Sequence, residues 1–277
     1  MSSAHPADQP VLVTGATGTQ GGAVARAIAA SGRPVAALVR DPAAPRAVAL
    51  AELGIELRKG DLGDPDSLVT AFAGVSALYA ITTPFEAGAD AEVAQGVAIV
   101  DAAGRAAVPW LILASVAAAD RAPVPHFRSK ARIEAHLRSA DVPWTVVAPS
   151  YFYENVAVAP GEEPRLALPL DPGTPLHQIA LADLGATVAA IIGRREEHLG
   201  RRVELAGEAP TPAAMAQALG AVYEQVPLAA IEQRSADLGA MYRFLAGEGY
   251  GIDVDAVRRT YPEVTWTTFR EWAGARR

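Results

Sequence analysis

Residues 11–22 read VLVTGATGTQGG, an apolar run that passes through a glycine-rich turn into the alanine-rich residues 23–29. We interpret this stretch as a buried strand, a tight turn and the start of a helix. Unpaired backbone N–H groups at a helix start, together with the helix dipole, attract an anion. Glycine lets the backbone approach a pyrophosphate without a Cβ in the way. The stretch therefore predicts a dinucleotide-phosphate site made by Gly15, Thr17, Gly18, Thr19, Gln20 and Gly21; the alternative is a tight turn without a ligand.

Strand and helix patterns alternate through the first 150 residues. Apolar strands are predicted at 11–14, 35–39, 55–59, 77–81, 110–114 and 144–148, and helices at 21–31, 43–53, 65–72, 87–107 and 127–140. Apolar strands that are each followed by a helix indicate a parallel sheet covered on both faces. The prediction is an α/β, Rossmann-like doubly wound parallel sheet, with its ligand at the carboxyl ends of the strands.

The pattern loosens after residue 150. Residues 149–175 are rich in Pro and Gly and contain one extended piece at 165–168. Helices are predicted at 179–192, 212–219, 236–245, 253–259 and 267–275, and strands at 203–206 and 226–231. We expect a dinucleotide-binding domain over 1–150 plus about 172–196, and a smaller C-terminal α/β, substrate-binding domain over 151–171 and 197–277.

Composition excludes several classes of function. The 277 residues are 51% hydrophobic, carry a net charge of -7 and include no cysteine. The negative charge disfavours nucleic-acid binding, and the absence of cysteine excludes disulfides, thiolate metal sites and cysteine nucleophiles. The histidines do not have the spacing of metal ligands. Residues 1–9 do not have the pattern of a signal peptide, and no apolar run is long enough to span a membrane. We expect a cytoplasmic protein with a small-molecule substrate; a homo-oligomer is compatible with the sequence.

The end of the second predicted strand indicates which dinucleotide binds. Where an NAD-binding unit has an acidic residue for the ribose hydroxyls, this chain has Arg40. A guanidinium suits a 2′-phosphate, so the sequence favours NADP(H) over NAD(H). The alternatives are a solvated arginine or one paired with Asp41.

Two further strand ends carry polar candidates. Asp61, followed by Leu62, is predicted to accept a hydrogen bond from the adenine amino group; the alternative is an aspartate that caps a turn or helix. Thr82 and Thr83 offer hydroxyls beside a cofactor ribose, although threonines also serve ordinary turns.

Several of these segments resemble the NmrA-like family of atypical short-chain dehydrogenases/reductases. The matching segments are 13–22 (VTGATGTQGG), 39–41 (VRD), 60–62 (GDL), 126–130 (HFRSK), 142–145 (VPWT), 149–155 (PSYFYEN), 204–211 (ELAGEAPT) and 268–272 (TFREW). The resemblance covers nearly the whole chain. It implies a Rossmann domain with a small C-terminal domain, NADP(H) binding, and either quinone or other specialised reductase activity or a role as a redox sensor with little catalysis.

The resemblance also bears on catalysis. The wider superfamily uses Tyr-x-x-x-Lys, where lysine holds the nicotinamide ribose and tyrosine donates the proton. At this spacing the chain has His126 and Lys130, and Ser115 occupies the usual serine position. Ser115 and Lys130 are predicted to bind the cofactor; the alternative for Lys130 is a solvated helix lysine. His126 is a candidate general acid, although a histidine at a helix start is often simply exposed.

The segment after the sixth strand supplies the last candidates. Pro149 and Tyr151 are predicted to lie at the cofactor, and Tyr151 or Tyr153 to hydrogen-bond a substrate carbonyl. The alternative for both tyrosines is aromatic packing between the two domains. We predict an NADPH-dependent oxidoreductase that transfers hydride to a quinone-like or enone-like acceptor. An NADP(H)-binding regulator and a biosynthetic reductase or isomerase remain alternatives.

Overall fold

The computed structural model describes residues 9–276. Residues 1–8, which make up most of the segment predicted to carry no signal peptide, lie outside this range, as does residue 277. By internal packing the chain divides into two units. Unit 1 contains the residues up to Ser115, Ser129–Val147 and Leu184–Val203, and unit 2 contains Val116–Arg128, Ala148–Asp183 and the residues from Glu204 onward.

Unit 1 is built around a seven-stranded sheet. Its strands are β1 Val11–Val13, β2 Val35–Val39, β3 Glu56–Lys59, β4 Ala77–Ala80, β5 Leu111–Ala114, β6 Trp144–Pro149 and β10 Arg201–Leu205. They lie in the order β10-β6-β5-β4-β1-β2-β3. The five neighbouring pairs from β6 to β3 are parallel, with Val11 opposite both Val35 and Ala77. The strand order reverses beside β1, where a doubly wound sheet opens its binding crevice. The predicted fold class is confirmed.

Helices lie between successive strands of this sheet along the chain. They are α1 Thr19–Ala30, α2 Pro45–Glu52, α3 Pro65–Phe72, α4 Ala89–Arg105, α5 Pro125–Ser139, α6 Leu181–Gly193 and α7 Arg195–His198. The helix α3 begins as predicted, because Pro65 stands at its first position and the Asp64 side chain accepts a hydrogen bond from the Ser67 N–H.

Helices α4 and α5 approach closely at Gly96. A Cβ on Gly96 would lie 2.5 Å from Cδ1 of the buried Ile133, so the contact requires a residue without a side chain. Gly96 and Ile133 are both buried, so this contact is part of the packed interior between the two helices.

Unit 2 has its own apolar core. Its strands β7 Tyr151–Phe152 and β9 Gln178–Ile179 form one parallel pair, and β8 Arg165–Leu168 and β11 Val222–Gln225 form another. A 3₁₀ turn covers Tyr153–Asn155, and its other helices are α8 Pro212–Leu219, α9 Leu228–Arg234, α10 Ala236–Ala246, α11 Val254–Thr260 and α12 Phe269–Gly274. The largest core side chains include Phe127, Tyr153 and Phe269.

The predicted strand at 226–231 is wrong. The strand lies earlier, at Val222–Gln225, and a helix follows Pro227. Pro227 has no N–H to donate to a sheet, and Leu228 and Ile231, three residues apart, both pack on the unit 2 core as one helical face. The apolar residues at 226–231 span too few positions to distinguish the two-residue repeat of a strand from the 3.6-residue repeat of a helix.

The unit boundaries differ from the predicted domain boundaries in four places. Residues 116–128, 148–150 and 172–183 belong to unit 2, and 197–203 belong to unit 1 because β10 joins the large sheet. The predicted assignment of cofactor binding to one domain and substrate binding to the other stays a prediction.

Candidate active site

The glycine turn between β1 and α1 is packed against the start of the helix. Gly15 has φ +62°, a left-handed conformation that favours glycine, and the Gly18 N–H donates to its carbonyl at 2.9 Å. A Cβ on Gly21 would overlap the Gly15 carbonyl oxygen and lie 2.9 Å from the Thr14 carbonyl oxygen. The turn therefore keeps this shape only with glycine at position 21.

The start of α1 is open to an anion. Gly18 is the N-cap residue, no side chain caps the helix, and its first turn contains no acidic residue. Gly15, Gly18 and Thr19 are exposed, and Thr17 is half-buried. The backbone N–H groups and the helix dipole thus favour a phosphate here. The Gln20 amide donates at 3.2 Å to the buried Tyr79 hydroxyl, so this predicted phosphate ligand already has a protein partner.

Arg40 is exposed directly after β2. Its neighbour Asp41 accepts a hydrogen bond at 2.9 Å from the Ala43 N–H, as an aspartate in a turn does. Across residues 9–276 Arg40 makes no ion pair, which removes the alternative of an Arg40–Asp41 pair. Binding of a 2′-phosphate by Arg40 stays a prediction.

Asp61 has a turn role at the end of β3. Its Oδ1 accepts at 2.8 Å from the Gly63 N–H, and its own N–H donates to Ser67 Oγ at 3.0 Å. Asp61 is exposed and Leu62 is half-buried. The turn alternative therefore describes this structure, and the adenine contact stays a prediction.

Lys130 lies beside the end of β4 and is mostly buried, with its side chain 13% exposed. Its Nζ lies 2.7 Å from the Thr82 carbonyl oxygen, 3.1 Å from Thr82 Oγ1 and 2.9 Å from Glu92 Oε1. An ammonium has three N–H donors, and these three acceptors use all of them. A ribose hydroxyl would have to replace one of these acceptors, so the structure shows Lys130 first as a buried ion-pair partner.

Glu92 is the partner that the sequence did not indicate. It is fully buried in α4 and also accepts from the hydroxyls of Thr82, at 3.0 Å, and Ser129. Burial lowers the pKa of Lys130, whereas the Glu92 carboxylate acts in the opposite direction. Thr83, the second predicted ribose ligand, accepts at 3.3 Å from the Phe85 N–H, as in an ordinary turn.

A second buried carboxylate, Glu134, lies one turn after Lys130 in α5. The Ser115 hydroxyl donates to it, Arg138 contacts it at 2.6 Å and Arg202 at 3.1 Å. Arg202 is 17% exposed, so its guanidinium belongs to this buried network rather than to the solvated surface. Ser115, predicted as a cofactor ligand, is 94% buried in this network.

The His126 imidazole is paired with a carboxylate within unit 2. Its Nδ1 lies 2.8 Å and 2.9 Å from the two Asp237 oxygens, and its backbone N–H donates to the same carboxylate at 3.2 Å. The His126 side chain is 12% exposed and its ring contacts the edge of Phe127. The ring is therefore held in one orientation, which the alternative of a simply exposed histidine does not describe.

The two tyrosines after β6 have different environments in unit 2. The Tyr151 hydroxyl lies 3.4 Å from the Tyr242 hydroxyl, and burial raises the pKa of Tyr151 well above its usual value, so it stays a neutral phenol. Tyr153 is fully buried, and its hydroxyl donates to Glu208 and to the Thr267 carbonyl, both at 3.2 Å. Tyr153 packs against Phe269 and Trp272, a core role rather than a catalytic one.

The strand end at Pro149 contains an unsatisfied polar atom. Ser150 is 4% exposed, and within the described residues its hydroxyl has no hydrogen-bond partner. A buried polar atom without a partner is uncommon and costs free energy unless a ligand or water satisfies it. Ser150 is next to the predicted cofactor ligands Pro149 and Tyr151, and it was not predicted itself.

Four site residues were missed: Glu92, Glu134, Asp237 and Ser150. For Glu134 a signal exists, because it lies four residues from both Lys130 and Arg138, which is the spacing of helical ion pairs. Glu92 and Asp237 pair with residues 38 and 111 positions away, and no local pattern reports such pairs.

Fold and site together define an α/β protein of the dinucleotide-binding type. The model of the NmrA-like family matches residues 7–273, and the chain belongs to this family.

Quinone oxidoreductase 2 of Escherichia coli K12 is 30% identical over 202 residues, which is 72% of this chain and 68% of that protein. The NAD(P)H azoreductase of Xenophilus azovorans is 27% identical over 255 residues, which is 78% of this chain and 87% of that one.

A solved structure agrees with this assignment. The NADPH-dependent quinone oxidoreductase QOR2 of Escherichia coli, in complex with NADPH, superposes with a TM-score of 0.80 and 25% identity, over 96% of this chain and 99% of that chain. Within residues 9–276, no helix is both long and apolar enough to span a membrane, and no cluster of His, Asp and Glu side chains has the geometry of a metal site.

Proposed function

We propose that this protein is an NADPH-dependent oxidoreductase that transfers hydride to a quinone-like or enone-like carbonyl acceptor. The observation that carries the proposal is the open, acid-free start of α1 behind a turn that requires glycine at position 21. Such a turn fits a pyrophosphate because a Cβ would fill the space where the backbone folds back on itself. The names of the two relatives, a quinone oxidoreductase and an azoreductase, support the class of reaction.

Arg40 supplies the preference for NADPH. An exposed guanidinium with no ion pair in the described chain has its donors available for the 2′-phosphate, which it can bind through two parallel hydrogen bonds. Asp61, at the neighbouring strand end, keeps one carboxylate oxygen for its turn and presents the other to an adenine amino group.

When NADPH is bound, its nicotinamide supplies the hydride. The chain contributes a proton donor, for which His126 is the candidate, and the phenol of Tyr151 as a hydrogen-bond donor to the substrate. Lys130 stabilises the end of β4 through Thr82 and places a positive charge there. Tyr153 has no role in this proposal, because its hydroxyl is buried and has two partners.

The deciding experiment is turnover. Purified protein is mixed with NADPH and a panel of quinones, enones and imines, and the loss of reduced nicotinamide absorbance is followed. We expect turnover with at least one quinone or enone. No turnover with any acceptor, combined with different affinities for NADP⁺ and NADPH, would support an NADP(H)-binding regulator instead. This alternative is open because His126 stands where the wider superfamily has its proton-donating tyrosine.

Two glycine-to-alanine variants test the phosphate site itself. The change Gly21→Ala forces the turn to open, because its Cβ would lie 2.6 Å from the Gly15 carbonyl carbon. Loss of two charge-assisted hydrogen bonds, at about 1.5–3 kcal/mol each, predicts a dissociation constant for NADPH raised about 100-fold or more. The matched control is Gly104→Ala, whose Cβ would make an ordinary contact of 3.6 Å with Val142. Equal affinities of the two variants for NADPH would contradict the site.

A further inference from the structure

The Asp237 carboxylate makes contacts that point to a function beyond packing. Both of its oxygens lie within 2.9 Å of His126 Nδ1, and it also accepts from the His126 backbone N–H. This second hydrogen bond fixes the carboxylate against the backbone of the residue whose ring it contacts. The ring and its partner therefore form a rigid dyad in which rotation about the His126 χ angles is restricted.

The contact also decides how the ring is protonated. A carboxylate accepts hydrogen bonds only, so the Nδ1 atom facing Asp237 carries a hydrogen. Proton exchange with a substrate is then assigned to Nε2, the other ring nitrogen. A carboxylate that fixes a histidine in this way is a recurrent device for orienting a catalytic imidazole.

The histidine of the dyad lies on the same helix, α5, as the predicted cofactor ligand Lys130. His126 precedes Lys130 by four residues, one turn of the same helix, so the two side chains project from one helix face. Asp237 lies in the first turn of α10, whose own N-cap is Ser235. It also accepts the N–H of His126, the second residue of α5, so its charge lies where two helices begin.

We propose that Asp237 is a positioning residue that holds His126 as the proton donor of the reaction, with Nδ1–H on the carboxylate and the Nε2 proton delivered to the substrate. This rests on the proposed function. A carbonyl-type acceptor gains hydride from NADPH as a new C–H bond, and its π electron pair moves to oxygen. That oxygen takes the Nε2 proton, leaving reduced product, NADP⁺ and a neutral imidazole that regains a proton from water.

Acceptors with different proton demands separate this role from a structural one. A quinone or enone needs one hydride and one proton, whereas the N-methylacridinium cation takes hydride alone and becomes a neutral product. The variants are Asp237→Asn, which keeps an acceptor for the His126 backbone N–H, His126→Gln, and Ser235→Ala. Ser235→Ala is the matched control, because it removes the side-chain cap of α10, a 3.2 Å bond from the Leu238 N–H, and leaves the dyad intact.

We expect His126→Gln to lower kcat with the quinone or enone about 100-fold, and Asp237→Asn about tenfold, with KM for NADPH and turnover of N-methylacridinium unchanged. The wild-type rate with the proton-requiring acceptor should also fall in D₂O, and this fall should disappear in His126→Gln. Ser235→Ala should match the wild type with both acceptors. Far-UV circular dichroism and NADPH affinity verify that each variant is folded.

Two results would overturn the proposal while leaving the proposed function standing. One is an unaltered rate of Asp237→Asn with the proton-requiring acceptor. The other is an equal loss with both acceptors, which would assign Asp237 to helix capping alone. If the wild type oxidises NADPH with neither acceptor, the proposed function itself fails, and the proposal on Asp237 fails with it.

Discussion

The buried ion pair between Glu92 and Lys130 makes a sharp prediction about stability. The pair joins α4 to α5 at 2.9 Å, with side chains 0% and 13% exposed. At this distance and an effective dielectric constant of about 20, the attraction is roughly 6 kcal/mol before the cost of desolvation. The change Glu92→Gln keeps the shape of the side chain but removes its charge. It leaves the Lys130 ammonium without the carboxylate that it contacts directly, and only the more distant Glu134 still favours its charge among the described carboxylates that act on it.

Two limits bracket the expected loss. Removing one partner of a buried pair costs about 3–5 kcal/mol. Alternatively, Lys130 can become neutral by losing its proton. For a lysine with an ordinary unfolded pKa of about 10.4, deprotonation costs about 4.6 kcal/mol at pH 7, and this cost is the upper limit on the loss of stability. We therefore expect Glu92→Gln to lower the free energy of unfolding by about 3–4.6 kcal/mol. Urea unfolding followed by far-UV circular dichroism measures it.

The same two helices provide a matched control. Arg132 and Asp90 also form a pair at 2.9 Å, but their side chains are 59% and 94% exposed. Asp90→Asn should cost less than about 1 kcal/mol, because water screens an exposed pair. In the double variant Glu92→Gln/Lys130→Met, the loss should be smaller than the sum of the single losses by about 2 kcal/mol. A Glu92→Gln loss no greater than that of Asp90→Asn would refute the reasoning, since the buried pair would then behave as a hydrated one.

Three other variants test separate parts of the molecule. Arg40→Ala should raise the dissociation constant for NADPH by about tenfold or more and leave that for NADH nearly unchanged, measured by fluorescence titration; equal effects on both would remove Arg40 from 2′-phosphate binding. Burial raises the pKa of Asp183 to about 6, so the folded state holds this proton more tightly than the unfolded chain and loses stability as pH rises from about 4 to 6. Asp183→Asn should therefore remove that part of the pH dependence and raise Tm relative to the wild type more at pH 7 than at pH 4, and an unchanged Tm difference at the two pH values would contradict the shift. Tyr153→Phe should leave kcat with the best acceptor unchanged and lower Tm, because its buried hydroxyl bonds Glu208 and Thr267; a large fall in kcat would return Tyr153 to the catalytic set.

Local chemistry explains why much of unit 1 was predictable. A strand, a turn that needs Gly21 and an uncapped helix start occupy consecutive residues, so their meaning is contained in one short stretch. Strand 35–39 and helix 65–72 were predicted with the bounds that the structure has, since apolar runs and an Asp-Pro start mark both clearly. Unit 2 has shorter elements, and at 226–231 its periodicity was misread.

The site was less predictable because its decisive contacts are long-range. A glutamate in the first turn of α4 has the sequence appearance of a solvated residue that favours the helix dipole, yet Glu92 is fully buried. Its burial depends on the register in which α4 meets α5, which no local pattern encodes. The dyad of His126 with Asp237 likewise depends on two helix starts brought together by the fold of unit 2.

The glycine at position 96 limits the access of water to the ion pair between Glu92 and Lys130. Gly96 lies one helical turn after Glu92, and its contact Ile133 lies three residues after Lys130, so this tight contact between the helices adjoins the pair. A methyl group at 96 would act as a spacer that pushes the helices apart and admits solvent between the charges. Hydration, rather than any change in the charged residues themselves, would then weaken their attraction. The spacing of two helices is thus a means of adjusting the electrostatics of Lys130 from a position that carries no charge.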